Sequence, residues 1–366
     1  MAMLLRWIGS FLIATALALP GGAGAAGPYA SSPVPPGTAA LSVQGHSAGT
    51  YLNAGGAYRA FLSRDGVRTD LGTLGGSFSS GLAVNDKGWV AGISDTAGAG
   101  SRAFLYRDGA MTNLGTLGGG YSAAVAVNGA GQVAGNSTTA DGRRHAFLYS
   151  EGSMRDLGTL DGQDSTAYGM NAAGDVVGES GGHAFLYTGG VMHDLGTLGG
   201  KRSIAYDIND AGDIVGAAAT ALTGDFGHAF LYMDGQMIDL GATGRHGEVY
   251  ASAAFAINNS GSIIGSTEYD GGRRMFIVED GVLSGLEMVD PGIIPDYPFA
   301  LTDNGQILAD ARDVRGQPLV VLLSPVPAVP EPMTWLMVLA GTLLMWAGSC
   351  RTKGPGVAAP ERPMPR

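Results

Sequence analysis

The sequence predicts an all-β fold, a β-propeller of six or seven four-stranded blades, and three observations predict it. A unit of about forty residues recurs along the chain. Each unit breaks into four short apolar runs separated by turn residues. No unit carries a helical apolar stripe of useful length. Complete units open with Ala-Phe-Leu at Ala60, Ala103, Ala146, Ala184 and Ala229, at spacings of 43, 43, 38 and 45 residues. A sixth, with weaker letters, opens at Phe276. Four strands in about forty residues match one blade, and a blade buries its faces only by stacking on others.

The unit from Ala103 to His145 shows each element in order. Ala103-Phe104-Leu105-Tyr106 is an apolar run that ends in the turn pair Asp108-Gly109, a strong hairpin signal. Met111 to Leu114 alternates apolar and polar residues, as a half-buried strand does. Gly115-Thr116-Leu117-Gly118-Gly119-Gly120 has too much glycine for a helix and reads as a sharp loop. Val125-Ala126-Val127 runs into the turn Asn128-Gly129-Ala130-Gly131, and Gln132-Val133-Ala134 leaves it. Three positions recur with structural roles expected of them. Phe61, Phe104, Phe147, Phe185 and Phe230 anchor the Ala-Phe-Leu strand. Asp70, Asn113, Asp156, Asp194 and Asp239 precede Leu-Gly and would accept turn N–H groups. Asn85, Asn128, Asn171, Asn209 and Asn258 set an Asn-x-x-Gly turn through their short side chains. Thr302 stands in that place in the sixth unit. Asn209-Asp210-Ala211-Gly212-Asp213 is a weak calcium-loop candidate, because its sister loops carry no carboxylates.

Leu319 to Leu323 reads as one more opening strand, and Ala40 to Leu52 as strands of a partial unit. Ends that share one composite blade would close the ring and hide its edges. An open β-solenoid is the competing architecture, and the uneven unit lengths count against it.

The chain ends read as addresses. Residues 1–26 form a secretory signal peptide: Arg6, the apolar run Trp7 to Leu19, a break at Pro20-Gly21-Gly22, and the small residues Ala23, Ala25 and Ala26 at the cleavage site. Residues 27–40, rich in Pro, Gly, Ala and Ser, read as a flexible lead-in, and 41–324 as the propeller. A Pro-rich linker, 325–332, carries Pro330-Glu331-Pro332. The apolar stretch 333–350 is long enough for one transmembrane helix, and the tail 351–366 opens with Arg351 and Lys353, which favour a cytoplasmic end. This order resembles the PEP-CTERM sorting signal of Gram-negative bacteria. The resemblance implies export through the translocon, cleavage by signal peptidase, and transient anchoring in the inner membrane. An exosortase would then remove the tail, leaving the body at the cell surface or outside the cell, in a setting of extracellular polysaccharide and biofilm. Gly354 to Arg366 extend beyond the basic pair, where the family signal stops.

A His-Ala-Phe triplet stands at His145, His183 and His228, and Asp-Leu-Gly-Thr-Leu-Gly-Gly is intact at 70–76 and 194–200. In both motifs the repeats resemble the extracellular HAF-repeat proteins. The resemblance covers about 60–318 and implies an exported repeat protein without catalytic residues to transfer.

Composition narrows the partners. Removal of Arg6 at one end, and of Arg351, Lys353, Arg362, Arg366 and Glu361 at the other, leaves a body with 16 basic and 31 acidic residues, net −15. That balance argues against nucleic acid. The one cysteine, Cys350, lies at the end of the apolar stretch, so the body holds no disulfide. No cofactor or metal is expected. His145, His183 and His228 would approach the axis if Ala-Phe-Leu were the innermost strand, but strand capping is the favoured reading. Tyr106, Tyr149, Tyr187 and Tyr232 read as interblade core rather than a sugar platform. The expected function is that of a non-enzymatic surface or matrix protein, binding glycan or another protein through propeller loops. The alternative is a secreted propeller enzyme acting on polysaccharide, its site sought in the insert Ala217 to Gly227 with Arg245 to Tyr250, near His246 and Glu248.

Overall fold

The computed structural model describes residues 28–98, 100–221, 227–241, 251–269 and 272–326. These form seven antiparallel four-stranded sheets, and the described residues contain no helix. The first β-strand, β1 (Tyr29–Pro33), stands apart from its chain neighbours. Blade 1 is β2 (Thr38–Leu41), β3 (Ser47–Leu52), β4 (Tyr58–Arg64) and β5 (Val67–Asp70). Blade 2 is β6 (Gly75–Val84), β7 (Val90–Thr96), β8 (Ser101–Arg107) and β9 (Ala110–Asn113). Blade 3 is β10 (Gly118–Val127), β11 (Val133–Thr139), β12 (Arg144–Ser150) and β13 (Ser153–Asp156). Blade 4 is β14 (Ser165–Met170), β15 (Val176–Ser180), β16 (His183–Thr188) and β17 (Val191–Asp194). Blade 5 is β18 (Gly199–Ile208), β19 (Ile214–Thr220), β20 (Gly227–Met233) and β21 (Gln236–Gly241). Blade 6 is β22 (Ser252–Ile257), β23 (Ile263–Tyr269), β24 (Gly272–Glu279) and β25 (Val282–Gly285). Blade 7 is β26 (Ile293–Leu301), β27 (Ile307–Asp313) and β28 (Pro318–Pro325), completed by β1 on its outer edge.

Of the two blade counts expected, the structure has seven. Two other expectations are corrected by this arrangement. The composite blade closes through residues 29–33, not through 40–52. The latter belong to a complete first blade. The stretch 27–40 is therefore not a flexible lead-in. Tyr29 to Pro33 pair with Pro325 back to Val321, and Thr38 already starts β2. Its Pro- and Ser-rich letters suit an edge strand, where missing donors are tolerated. The second correction concerns phase. The Ala-Phe-Leu strand is the third of each blade rather than the innermost. The innermost is the strand that leads into the Asn-x-x-Gly turn, or into its counterparts at Ser42 and Thr302, since those seven strand ends together line one axial cavity.

Local chemistry explains the elements. The third-to-fourth-strand turns of blades 1 to 6 are two-residue pairs with both residues left-handed: Asp-Gly in four, as at Asp108 (φ 53°) and Gly109 (φ 81°), with Glu151-Gly152 in blade 3 and Gly189-Gly190 in blade 4, the geometry that matches strand twist. In the second strand Gly92 pairs with Phe104, and a Cβ there would lie 2.0 Å from the Ser80 carbonyl oxygen and 3.0 Å from the Phe104 ring. Glycine makes the space in which the phenylalanine lies. Between blades the apolar side chains form successive clusters. Phe104, Phe147, Phe185, Phe230 and Phe276 each pack with residues of the preceding blade, while Leu62, Leu105 and Leu231 pack with residues of the following one. Tyr106, Tyr149 and Tyr232 pack against these clusters and Tyr187 belongs to one, so all four are interblade core.

Tyr29 closes the last blade. It is 1% exposed and packs with Ile277, Ile307 and Leu323. Its burial, helped by the charge of Glu279, raises its phenol to about pKa 12. Tyr29→Ala should cost about 3–5 kcal/mol, the usual loss when a large buried aromatic is emptied. Urea denaturation followed by circular dichroism measures this, and a loss under about 1 kcal/mol would mean that β1 does not hold the ring.

Candidate functional site

The recurrent residues are consumed by the architecture. In Asp-Leu-Gly-Thr-Leu-Gly-Gly, Asp70 Oδ1 accepts the Gly72 N–H at 2.8 Å, and Leu71 joins the interblade core. Thr73 donates to the Gly76 carbonyl, and a Cβ at Gly76 would lie 2.5 Å from that of Asp95. Asn113, Asp156, Asp194 and Asp239 accept the N–H of Gly115, Gly158, Gly196 and Gly241 in the same way. One serine on each of five innermost strands joins two blades. Ser122 Oγ accepts the Ala103 N–H at 2.8 Å and donates to the Gly115 carbonyl at 2.6 Å, and Ser79, Ser165, Ser203 and Ser252 repeat the pattern.

The turn asparagines work similarly at the other end of the blades. Asn85 Oδ1 accepts the N–H groups of Lys87 and Trp89, and its Nδ2 donates to the Asn128 carbonyl of the next blade at 2.9 Å. Asn128, Asn171, Asn209 and Asn258 continue this belt to Thr302. Asp210 Oδ1 accepts the Ala172 N–H and Asp303 Oδ1 the Asn259 N–H, so these carboxylates also join blades.

The three histidines stay apart from the axis. Each gives Nδ1 to the carboxylate on the fourth strand of its own blade: His145 to Asp156 at 2.8 Å, His183 to Asp194 at 2.9 Å, His228 to Asp239 at 2.9 Å. Where Arg takes the place, Arg59 and Arg102 donate to the Ser77 and Gly120 carbonyls of the next blade. Among the described residues no three His, Cys, Asp or Glu side chains gather as a metal-ligand set. The signal peptide, Pro330-Glu331-Pro332, the apolar stretch 333–350, the basic tail, His246 and Glu248 lie outside the described residues. Of the insert, Ala217 to Thr220 are in β19 and Gly227 opens β20.

What remains lies at the axis. The cavity there has a volume of about 380 Å³, and every blade contributes to it: Leu41, Val84, Asn128, Met170, Ile208, Ile257 and Leu301. Asp86, Asp210 and Asp303 line it from the turns, and Asp207 lines it from within an innermost strand. Asp207 occupies a position held by Ala or Gly in the other blades, and accepts N–H groups from Ile208 at 2.9 Å and Ile257 at 3.0 Å. Away from bulk water its pKa rises to about 6, with burial outweighing the two hydrogen bonds.

Beside this cavity runs an aromatic arc. Each innermost strand of blades 2 to 6 has a bulge one turn before the Asn, and the unpaired residue is Leu82, Val125, Tyr168, Tyr206 or Phe255. A bulge re-aims a side chain that would otherwise sit in the pleat. Tyr168 meets Tyr206 at 5.7 Å between ring centroids, Tyr206 meets Phe255 at 5.4 Å, and Phe255 meets Tyr297 of blade 7 at 4.3 Å. The Arg273 guanidinium lies 5.4 Å from the Tyr297 ring. Burial raises the Tyr206 phenol to about pKa 12, with Tyr297, Tyr168 and Glu179 adding to the effect. Tyr168 remains 39% exposed, so the arc is open at one end. Sequence reasoning missed these rings. Their signal was an aromatic residue three positions before the turn Asn in three successive units, where earlier units have Leu82 and Val125.

No family model matches the chain, and no curated protein matches it in sequence. Solved structures match its fold. A puromycin hydrolase is 15% identical with a TM-score of 0.51; the match covers 80% of this chain and only 55% of that protein. YCF48 bound to D1 peptide is 12% identical (TM-score 0.48, 84% and 99% covered). The six-bladed lectin of Aleuria aurantia is also 12% identical (TM-score 0.33, 85% and 100% covered). At such identities the likeness is one of fold alone, and fold does not carry function.

Asp207 gives a pH prediction. The folded chain holds this proton more tightly than the unfolded one. Its contribution to stability is therefore full below the ordinary carboxylate range, about pH 4, and is lost as pH rises through about 6. The loss is on the order of 2–3 kcal/mol. Denaturation midpoints from pH 4 to 8 should fall across this window in the wild type and stay flatter in Asp207→Asn; equal slopes would exclude Asp207 as the source.

Proposed function

We propose that this chain is an exported, non-enzymatic propeller of the cell surface or matrix that binds glycan along its axis. The aromatic arc from Tyr168 to Tyr297 carries this reading. It places flat apolar ring faces beside phenol hydroxyls, carboxylates and an arginine, and sugars offer the matching alternation of C–H faces and hydroxyl edges. The arc is also a departure from the repeat, whereas the recurrent serines, asparagines and aspartates have structural partners. The net acidic body suits a soluble exported module and a neutral ligand. Extracellular polysaccharide is the partner that the sorting resemblance implies.

Two measurements test the proposal. In pull-down or calorimetry with exopolysaccharide, Tyr168→Ala and Phe255→Ala should each weaken binding roughly tenfold, equivalent to about 1.4 kcal/mol. Retained affinity in both variants would rule out the arc. For export, intact mass in hosts with and without an exosortase should differ by the tail beyond Pro332. A full-length, membrane-retained product in both hosts would reduce the C-terminal stretch to a plain anchor.

A further inference from the structure

Blade 4 departs from its neighbours in one respect that changes its surface. The Ala-Phe-Leu spacing from Ala146 to Ala184 is 38 residues against 43 before it. The whole deficit lies in one hairpin. Blade 3 runs from Ser137 through Asp141-Gly142 to His145, whereas blade 4 turns directly from Ser180 through Gly181-Gly182 to His183. In blades 2, 3 and 5 the longer hairpin supplies Thr96, Thr139 or Thr220, which pairs with the start of the innermost strand at Gly75, Gly118 or Gly199. Blade 4 has no such residue. Its innermost strand begins only at Ser165 and spans 6 residues rather than 10. A cavity of about 250 Å³ opens there.

The cavity is lined by Arg144, Asp161, Gln163, Asp164, Thr166 and Glu179, among others. Asp161 and Asp164 are partly used, accepting the N–H groups of Gln163 and Arg144. Among the described residues, neither the Glu179 carboxylate nor the Arg144 guanidinium makes a side-chain hydrogen bond or ion pair. Glu179 pairs directly with Thr166 across the strands, so both side chains project from the same face. Two residues beyond Thr166 is Tyr168, the open end of the aromatic arc. Its phenol is raised first by burial and then by the charge of Glu179, and is lowered by that of Arg144. Cavity and arc are thus neighbours.

We infer that the blade-4 cavity is a subsite for a single neutral sugar unit with vicinal hydroxyls, at the end of a chain that continues along the arc. This rests on the glycan reading above. Carboxylates here would accept hydroxyl protons, and Arg144 and Gln163 would donate to hydroxyl and ring oxygens. A neutral polyol offers both kinds of group. An acidic ligand would face three carboxylates against one arginine. A simple cation would face Arg144 and leave the Tyr168 ring unused.

Saturation-transfer NMR with the methyl glycosides of glucose, galactose, mannose and N-acetylglucosamine tests the inference, with methyl glucuronide as the acidic control. At least one neutral glycoside should bind the wild type, with affinity reduced at least tenfold in Glu179→Gln and in Arg144→Gln. Phe255→Ala should keep glycoside binding and lose affinity only for polymer. Unchanged binding in Glu179→Gln, preference for the glucuronide, or no glycoside bound at all would overturn the subsite. Polymer binding that still depends on Tyr168 and Phe255 would leave the glycan reading standing. Loss of polymer binding by the wild type itself would remove that reading.

Discussion

A serine hydroxyl placed between two blades is the contact on which the ring depends. Ser122 takes the Ala103 N–H of the blade before it and gives its own proton to the Gly115 carbonyl in the linker between them. One side chain thereby satisfies two backbone groups that packing removes from water, where an unpaired group costs about 1–3 kcal/mol. The Ser must be small and the Ala beside it featureless, because blades approach at backbone distance there. Asparagines perform the complementary task at the opposite ends of the blades. Together these bonds explain a low charged content and high Gly, Ala and Ser content without appeal to any ligand.

That economy locates function by subtraction. A residue that recurs from blade to blade is held by the ring, so a ligand has to be met by the exceptions. They concentrate on blades 4 to 7: three rings at bulge positions, Tyr297 between two bulges of its strand, one carboxylate where small residues belong, and one hairpin cut short. The first three blades present Ala39, Leu82 and Val125 at the same places. The axis therefore has a smooth side and an aromatic side, which is the asymmetry that an oriented ligand requires.

The period, the four strands per unit and the Asp-Gly and Asn-x-x-Gly turns were legible in the sequence, because each is a local signal. Phase was not. A cyclic array reads the same from any strand, and its phase is fixed only by which strands share a sheet, β2 with β5 and Tyr29 with Pro325 among them. Residues 29–33 read as flexible because local composition says nothing of a partner strand almost the whole chain away. The spacing of 38 was visible, but its effect depends on Thr96, Thr139 and Thr220 having distant partners. The aromatic residues were visible too; that they touch follows from bulges, which no side-chain pattern announces.

The pairing of β1 with β28 also sets the order of events during folding. Ser32 bonds to Leu322, 290 residues later. The strand made first has no partner until the last blade exists, and bringing such distant segments together is slow even where its thermodynamic cost is modest. Until then six blades can stack as an open arc, with the unfinished sheet of blade 7 at one end exposing an unpaired edge. The first strand of the ring is thus the final one to dock, and the completed ring is a record that the chain as far as Pro325 has arrived.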